Sequence, residues 1–395
     1  MNYILFDSIA ARRKLLPFTY TRPVAEIRVG ILTIADKWKE HLNSEVSYLT
    51  EEYLSKKFIV SFEDQNLYIS GNLCPNSQLL KAIKDLKPNQ KLVKEGVLLA
   101  SLEGQTACNA IGENCEEVKF EGDTTLITQN WHIFKQNGAE IRADYTLITK
   151  GRKSQPISDP YTRIYNKENI FIEEGADIKD ATLNAENGPI YIGKNATIEE
   201  GAIIRGPFAI CHNSTVNTNA RMRGDITIGP WSKVGGEISN SVIFGFSNKG
   251  HDGFLGNSVL GEWCNIGADT NTSNLKNNYD LIKVWDYDKG GFLNTGEQFC
   301  GLMMGDHSKS GINTMFNTGT VVGVAANIFG AGFPRTFIPS FAWGGPTGFT
   351  TFKLPKVFEM AHVAMKRRHG DFNEIEKEIL ATVFELEAQY RTWEK

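Results

Sequence analysis

Among the seven histidines, His251 has the setting most suited to proton transfer. It follows Ser247-Asn248-Lys249-Gly250 and precedes Asp252-Gly253, a glycine-flanked stretch with a cation two residues away. A neutral imidazole near pH 7 is the natural general base for an attacking amine. An ammonium such as Lys249 can hold a phosphate, while backbone amides or Asn265 orient hydroxyls or an acyl oxygen. By type alone, a histidine between Gly250 and Asp252 is more often a surface-loop residue, so its position must decide. His307, in Gly305-Asp306-His307-Ser308, is a weaker rival. A second cluster, Arg12-Arg13-Lys14 with Arg22 and Arg28, follows a short apolar run near the N-terminus. Cations at the carboxyl end of a first strand suit a polyphosphate, although most charge runs of this kind are solvated loops.

The elements that must position His251 are repetitive. Every sixth residue from Ile192 is aliphatic or Met: Ile192, Ile198, Ile204, Ile210, Val216, Met222, Ile228 and Val234. Four residues after each comes a mainly small one, such as Ala196, Ala202, Ser214 and Ala220, with Phe208 as the bulky exception. The frame resumes at Leu260 and Ile266, then at Met304, Ser310, Phe316, Val322 and Ile328. Six is neither a helical period nor plain strand alternation, and turn formers inside each unit (Gly193-Lys194-Asn195, Glu200-Gly201) demand a corner per hexad. The pattern predicts a parallel β-helix, with distortion at Phe208. Residues 240–261 and 271–299 leave the frame and are expected to be loops thrown out from the scaffold, where function usually sits.

Beyond residue 354 the chain is charged and nearly free of glycine, and Ile375, Ile379, Val383, Leu386 and Tyr390 fall at helical spacing. An amphipathic terminal helix capping the open end of the coil is expected. The first 165 residues read as an α/β layer domain. Strands are expected at 3–6, 46–49, 67–70 and 124–128, and helices at 77–86 and 130–136.

Composition narrows the function classes. A chain of 395 residues has room for two or more folding units, and 42 basic against 46 acidic residues give a net charge of −4, which disfavours a nucleic-acid binder. The six cysteines are scattered without a close pair, so neither a disulfide framework nor a zinc knuckle is signalled, and the reduced cytoplasm fits. The N-terminus has no secretory h-region and no stretch holds eighteen uninterrupted apolar residues, so neither secretion nor a membrane span is expected.

Taken together, the hexads and the segments Ser247-Asn248-Lys249-Gly250-His251, Phe254-Leu255-Gly256, Asn265-Ile266-Gly267-Ala268-Asp269 and Asn278-Tyr279-Asp280 resemble the GlmU family. These are bifunctional N-acetylglucosamine-1-phosphate uridyltransferase/glucosamine-1-phosphate acetyltransferases. The resemblance implies a nucleotidyltransferase-like (Rossmann-like) α/β domain at 1–165, a left-handed parallel β-helix at 166–350 and a C-terminal helical tail at 351–395. It also implies a homotrimer with acetyl-CoA bound between subunits. In that likeness His251 is the catalytic base, Lys249, Asn265 and Tyr279 bind the amino-sugar phosphate, and Ala268 and Asn278 bind acetyl-CoA. Arg12, Arg13 and Arg22 would meet a nucleotide such as UTP, with Mg²⁺ if that half is active.

Departures accompany the likeness. The lysine of the histidine motif sits one place later, Phe254 replaces a tyrosine, Asp269 replaces a glycine, and a lysine expected a dozen residues before the histidine is absent from Gly236-Glu237-Ile238-Ser239. In the first half, Asp7-Ser8-Ile9-Ala10-Ala11-Arg12-Arg13 lacks the glycines that wrap nucleotide phosphates. Asn72 stands where the family places a magnesium-binding aspartate, so uridyltransfer would need another carboxylate such as Asp7, the alternative being a domain that only binds a sugar nucleotide. Acetyl transfer to an amino-sugar phosphate is the favoured expectation. The alternatives are a sugar-1-phosphate nucleotidyltransferase with a structural β-helix and a non-catalytic sugar-nucleotide-binding trimer.

Overall fold

The hexad frame closes into a coil in the computed structural model, which describes residues 1–394. Ile192 pairs with Ile210 and Ile210 with Ile228, so three hexads make one turn and each face of the coil becomes a parallel sheet. The three sheets hold nine, ten and six strands. The aliphatic positions from Ile192 to Val234 are each no more than 1% exposed and form one continuous core with Leu260, Met304, Val322 and Ile328. Burial of this column drives the fold, since each aliphatic side chain taken from water contributes roughly 1.5–3 kcal/mol. Phe208 does not distort it. The residue lies in regular register between Ile190 and Ile226 and is fully buried.

The two expected excursions differ. Residues 240–261 stay in the coil: Val242–Gly245, Asn248–Lys249, Phe254–Gly256 and Val259–Glu262 all pair within the sheets. What changes is coil length. Val234 pairs with Lys249 rather than with a residue three hexads on, so the turn is three residues short and the frame merely shifts. The second excursion is real. After Asn271–Thr272 the chain leaves the coil, forms an antiparallel hairpin of Lys283–Asp286 and Gly291–Asn294, and rejoins at Met303–Met304.

The chain divides into two compact units, one of residues 1–27 and 32–129, the other of residues 28–31 and 130–395. In the first, a six-stranded mixed sheet runs in the order Ser47–Leu49, Asn2–Phe6, Asn66–Ser70, Val97–Glu103, Gln90–Lys94, Glu116–Lys119. Four helices accompany it: α1 (Ile9–Lys14), α2 (Ile34–Leu42), α3 (Glu52–Ser55) and α4 (Ser77–Lys84). The parallel central strands give it a Rossmann-like character. The helix expected at 130–136 extends as α5 (His132–Thr149) and belongs with the coil, where Asn137 donates to the Asp225 carbonyl (3.0 Å) and accepts from Thr227 (3.0 Å).

The C-terminal segment forms two helices where one was expected. In α6 (Leu354–Lys366) Val357, Ala361 and Met365 are buried; in α7 (Glu374–Leu386), capped by Asn373, Ile379, Leu380 and Val383 are buried. The end of α7 covers the last turns of the coil, where the Ser340 amide donates to the Glu387 carboxylate (3.2 Å), Phe384 meets Phe341 edge-on, and Trp393 donates to Thr351 (2.8 Å). Among the described residues no helix is long and apolar enough to cross a membrane.

A candidate functional groove on the coil

Outward-facing residues of the ten-stranded sheet stack in one column: Lys233, Asn248, Asn265, Lys309, Asn327 and Trp343. Each precedes an inward-facing residue in its strand, so strand alternation that buries one set must expose the other. With strands about 4.8 Å apart, six levels make a floor of about 24 Å. This floor underlies a groove of about 1630 Å³ roofed by α6 residues such as Lys356, Met360 and Val363 and closed by Arg367 and Arg368. Arg368 ties the end of the roof to the coil, donating to the Trp231 carbonyl (2.8 Å) and to the Asn248 side chain (2.6 Å).

One wall is the corner where each turn enters this sheet. The corner residue adopts a left-handed backbone, as Asn195 and Asn213 do with φ of 54° and 56°, a conformation asparagine tolerates. Further along the same corner the residues are Trp231, Phe246, Trp263 and His307, with φ between 53° and 61°. A bulky side chain in this region costs of order 1–3 kcal/mol, and such cost clusters at functional sites. The rings compensate by stacking: Phe246 on Trp263 at 4.3 Å and Trp263 on His307 at 6.4 Å. Trp231, Phe246 and Trp263 line the groove. His307 is 4% exposed in this stack, a position suited to packing.

The opposite wall is the next corner, where Gly250-His251, Gly267-Ala268 and Gly311-Ile312 follow their strands. His251, Asn265 and Ala268 all line the groove, and His251 is exposed. Asn248 donates to the Asn265 side-chain oxygen (3.3 Å), which orients that amide on the floor. Lys309 donates to the Trp263 carbonyl (3.2 Å), and burial pushes its ammonium below the usual lysine range. A floor of amides and cations between aromatic and glycine-rich walls can receive an extended, phosphate-bearing, partly planar ligand.

The remaining site residues lie elsewhere. Lys249 occupies the inward column between Val234 and Ile266, is 1% exposed and donates to the carbonyls of His251 and Asp252, the latter at 3.0 Å. Burial pushes its ammonium down to about 8, against the opposing pull of Asp252 and Asp269. It therefore turns away from the groove and into the coil. Asn278 and Tyr279 sit on the excursion, both exposed, with Asn278 donating to Asp280; neither lines the groove of their own chain. Lys309, Asn327, Trp343, the aromatic corner and the roof join the groove without having been singled out by any motif. The floor had a legible signal, since its residues precede the buried hexad positions.

In the first unit, Arg12 is 6% exposed and saturated from within. It donates to Asp7 (2.9 Å), to the carbonyl of Arg22 (3.4 Å), to Thr50 (3.3 Å) and to Tyr53 (3.1 Å), and reaches the Thr19 carbonyl at 2.6 Å. The Asp7 carboxylate also accepts from the Val24 amide (2.8 Å) and Thr50 (2.6 Å). Arg22 is buried beside this network and Arg13 is exposed. Asn72 accepts from Ser70 (2.8 Å) and donates to the Ile127 carbonyl (3.2 Å). With Asp7 committed to Arg12 and a neutral amide at position 72, these residues do not fit a divalent cation. Among the described residues no group of three or more His, Cys, Asp or Glu is arranged to hold a metal.

Comparison with known proteins adds to this geometry. Residues 3–153 match the sugar nucleotidyl transferase family. The chain is 31% identical over 144 residues to a bifunctional sugar-1-phosphate nucleotidylyltransferase/acetyltransferase of Sulfurisphaera tokodaii, a match covering 36% of this chain and 35% of that protein. It is 29% identical over 127 residues to the bifunctional protein GlmU of Trichodesmium erythraeum, covering 32% of this chain and 22% of that one. The chain thus spans about a third or less of the length of these relatives. Among solved structures, UDP-N-acetylglucosamine acyltransferase from Campylobacter jejuni aligns with 56% of this chain and 89% of its own at 16% identity and a TM-score of 0.25.

Proposed function

We propose that this chain, a divergent relative of the GlmU-type proteins, is a transferase of sugar-nucleotide metabolism. Its coil moves an acetyl group from acetyl-CoA to the amine of an amino-sugar phosphate such as glucosamine 1-phosphate. The observation that carries the reading is the exposed His251 imidazole at the rim of a groove floored by Asn248, Asn265 and Lys309.

In this mechanism the donor lies along the floor, with its phosphates toward the cations of the groove and its thioester near Ala268. His251 takes a proton from the sugar ammonium or from the attacking amine, the amine adds to the thioester carbonyl, and the tetrahedral intermediate collapses to amide and thiol. Asn265 orients the acyl oxygen or a sugar hydroxyl. No covalent enzyme intermediate is needed. Asn278 and Tyr279, which do not line the groove of their own chain, belong in this reading to the site of a neighbouring subunit in a homotrimer. A cytoplasmic location accompanies the proposal.

A second reading, nucleotidyl transfer from UTP to a sugar 1-phosphate, draws support from the family match over residues 3–153. The internal saturation of Arg12 and Asp7 weighs against it. Free-thiol release from acetyl-CoA in the presence of glucosamine 1-phosphate tests the first reading. Pyrophosphate release from UTP or dTTP with a sugar 1-phosphate tests the second. Silence toward a panel of amino sugars removes the first, and inactivity with every nucleotide removes the second.

A further inference from the structure

A charged side chain occupies an inward column that is aliphatic at the turns on either side of it, Val234 before and Ile266 after. Ile198, Val216 and Val234 precede Lys249 in the inward register. An unpaired ammonium in such surroundings costs several kcal/mol, so its retention calls for a compensating role. The polar groups it meets are the carbonyls of His251 and Asp252, so its two contacts fall on the corner that carries the candidate base. Other corners of this edge close on a small side chain, Ala202, Ala220 or Thr270, four residues after the inward aliphatic; here, as at Gly236 one turn before, that place is taken by a glycine, Gly253, which brings none.

The rest of the corner is pinned as well. Asn217 donates to the Gly250 carbonyl (2.7 Å), the Asp269 amide to Asp252 (3.0 Å) and the Glu237 amide to Gly253 (3.2 Å). The His251 carbonyl has the Lys249 ammonium for its partner, while the imidazole on the same residue is exposed.

We infer that Lys249 is a positioning residue: from inside the coil its ammonium clamps the backbone of residues 251 and 252 and so fixes the direction in which His251 faces the groove. The inference deepens the acyl-transfer reading and rests on it. It also separates this lysine from direct substrate contact, because the side chain that holds the base cannot at the same time reach a ligand in the groove.

The test is Lys249→Met, which keeps the length and packing of the side chain and removes the donor. The clamp predicts a ten- to hundredfold fall in kcat for thiol release with KM for both substrates changed less than about twofold, because an ångström of misplacement costs about that much. It also predicts exchange of the Asp269 amide hydrogen accelerated about tenfold or more, read without any substrate. Lys249→Gln, which retains an N–H donor, should recover part of kcat, and it replaces the Met variant should that one fail to fold. Wild-type kcat in the variant, or unchanged Asp269 exchange, overturns the inference while leaving the acyl-transfer reading intact. Absence of acyl transfer by the wild type removes that reading instead, and amide exchange alone then judges the clamp.

Discussion

Two sets of cations, one in each compact unit, show how differently the same charge can be used. In the first unit Arg12 is enclosed: its guanidinium meets Asp7, two backbone carbonyls, Thr50 and Tyr53. On the coil, Lys233, Lys309, Lys356, Arg367 and Arg368 border a groove of about 1630 Å³. A buried arginine with five hydrogen-bond partners and the Glu51 carboxylate at 3.6 Å holds a loop together, whereas cations along a long polar floor have room for a phosphate-bearing ligand. Local charge density in the sequence does not separate these cases. Where the counter-charge folds to does.

The comparison can be broken or sharpened by substitution. The largest effect is expected at His251→Ala. Its side chain is exposed, so folding should be unaffected, while kcat for acyl transfer falls by about 10²–10⁴, the usual contribution of a general base. Steady-state kinetics beside a circular-dichroism melt checks both halves of that statement.

In the first unit Asp7→Ala strands the Arg12 charge in a site where both residues are buried, and a loss of about 3–5 kcal/mol in unfolding free energy is expected. Urea titration measures it. The acyl-transfer kcat of the folded fraction should not change; a parallel loss of that activity without destabilisation would mean that Arg12 and Asp7 serve chemistry after all.

A smaller effect is tied to pH. Burial lowers the Lys249 ammonium to about 8, from an ordinary value of 10.5. Below pH 8 the group is protonated in both folded and unfolded chains and its penalty is constant. Between about 8 and 10.5 the unfolded chain holds the proton that the folded chain has released, so stability rises with pH. Relative to Lys249→Met, the wild type should gain on the order of 2–3 kcal/mol across that window. Denaturant unfolding of both proteins at pH 7 and pH 10.5 reads the difference, and parallel pH profiles would show that Lys249 is not the group responsible.

The smallest change is expected at Arg368→Ala, which removes the bonds from the roof to Trp231 and Asn248. KM for acetyl-CoA should rise about three- to tenfold with kcat retained, consistent with the modest worth of charged hydrogen bonds near solvent. An equal loss in kcat would place the roof closer to the chemistry than this account has it.

Much of the coil was legible because its core positions recur: Ile192, Ile198 and their successors are the buried column. The hexad frame fails where coil length changes. A frame of strict hexads expels residues 240–261, yet three residues fewer in one turn keep them in register and deliver Lys249 to the core. The floor was also implicit, since Asn265 and Lys309 stand one place before buried positions. Other features carry no local signal. The left-handed backbone of Trp231, Phe246 and Trp263 runs against their size, and the roofing by α6 depends on Arg368 finding Trp231, 137 residues away in the chain. In the first unit, the enclosure of Arg12 by Thr19, Thr50 and Tyr53 among others is likewise a product of tertiary structure.

The most direct test of the central claim is a crystal structure of the protein with acetyl-CoA bound. The account predicts the pantetheine arm along Asn248, Asn265, Lys309 and Asn327, beneath the roof helix, with the thioester carbon within reach of an amine hydrogen-bonded to His251. Acetyl-CoA bound away from that floor, or a His251 imidazole turned from the thioester in the assembled protein, would contradict it.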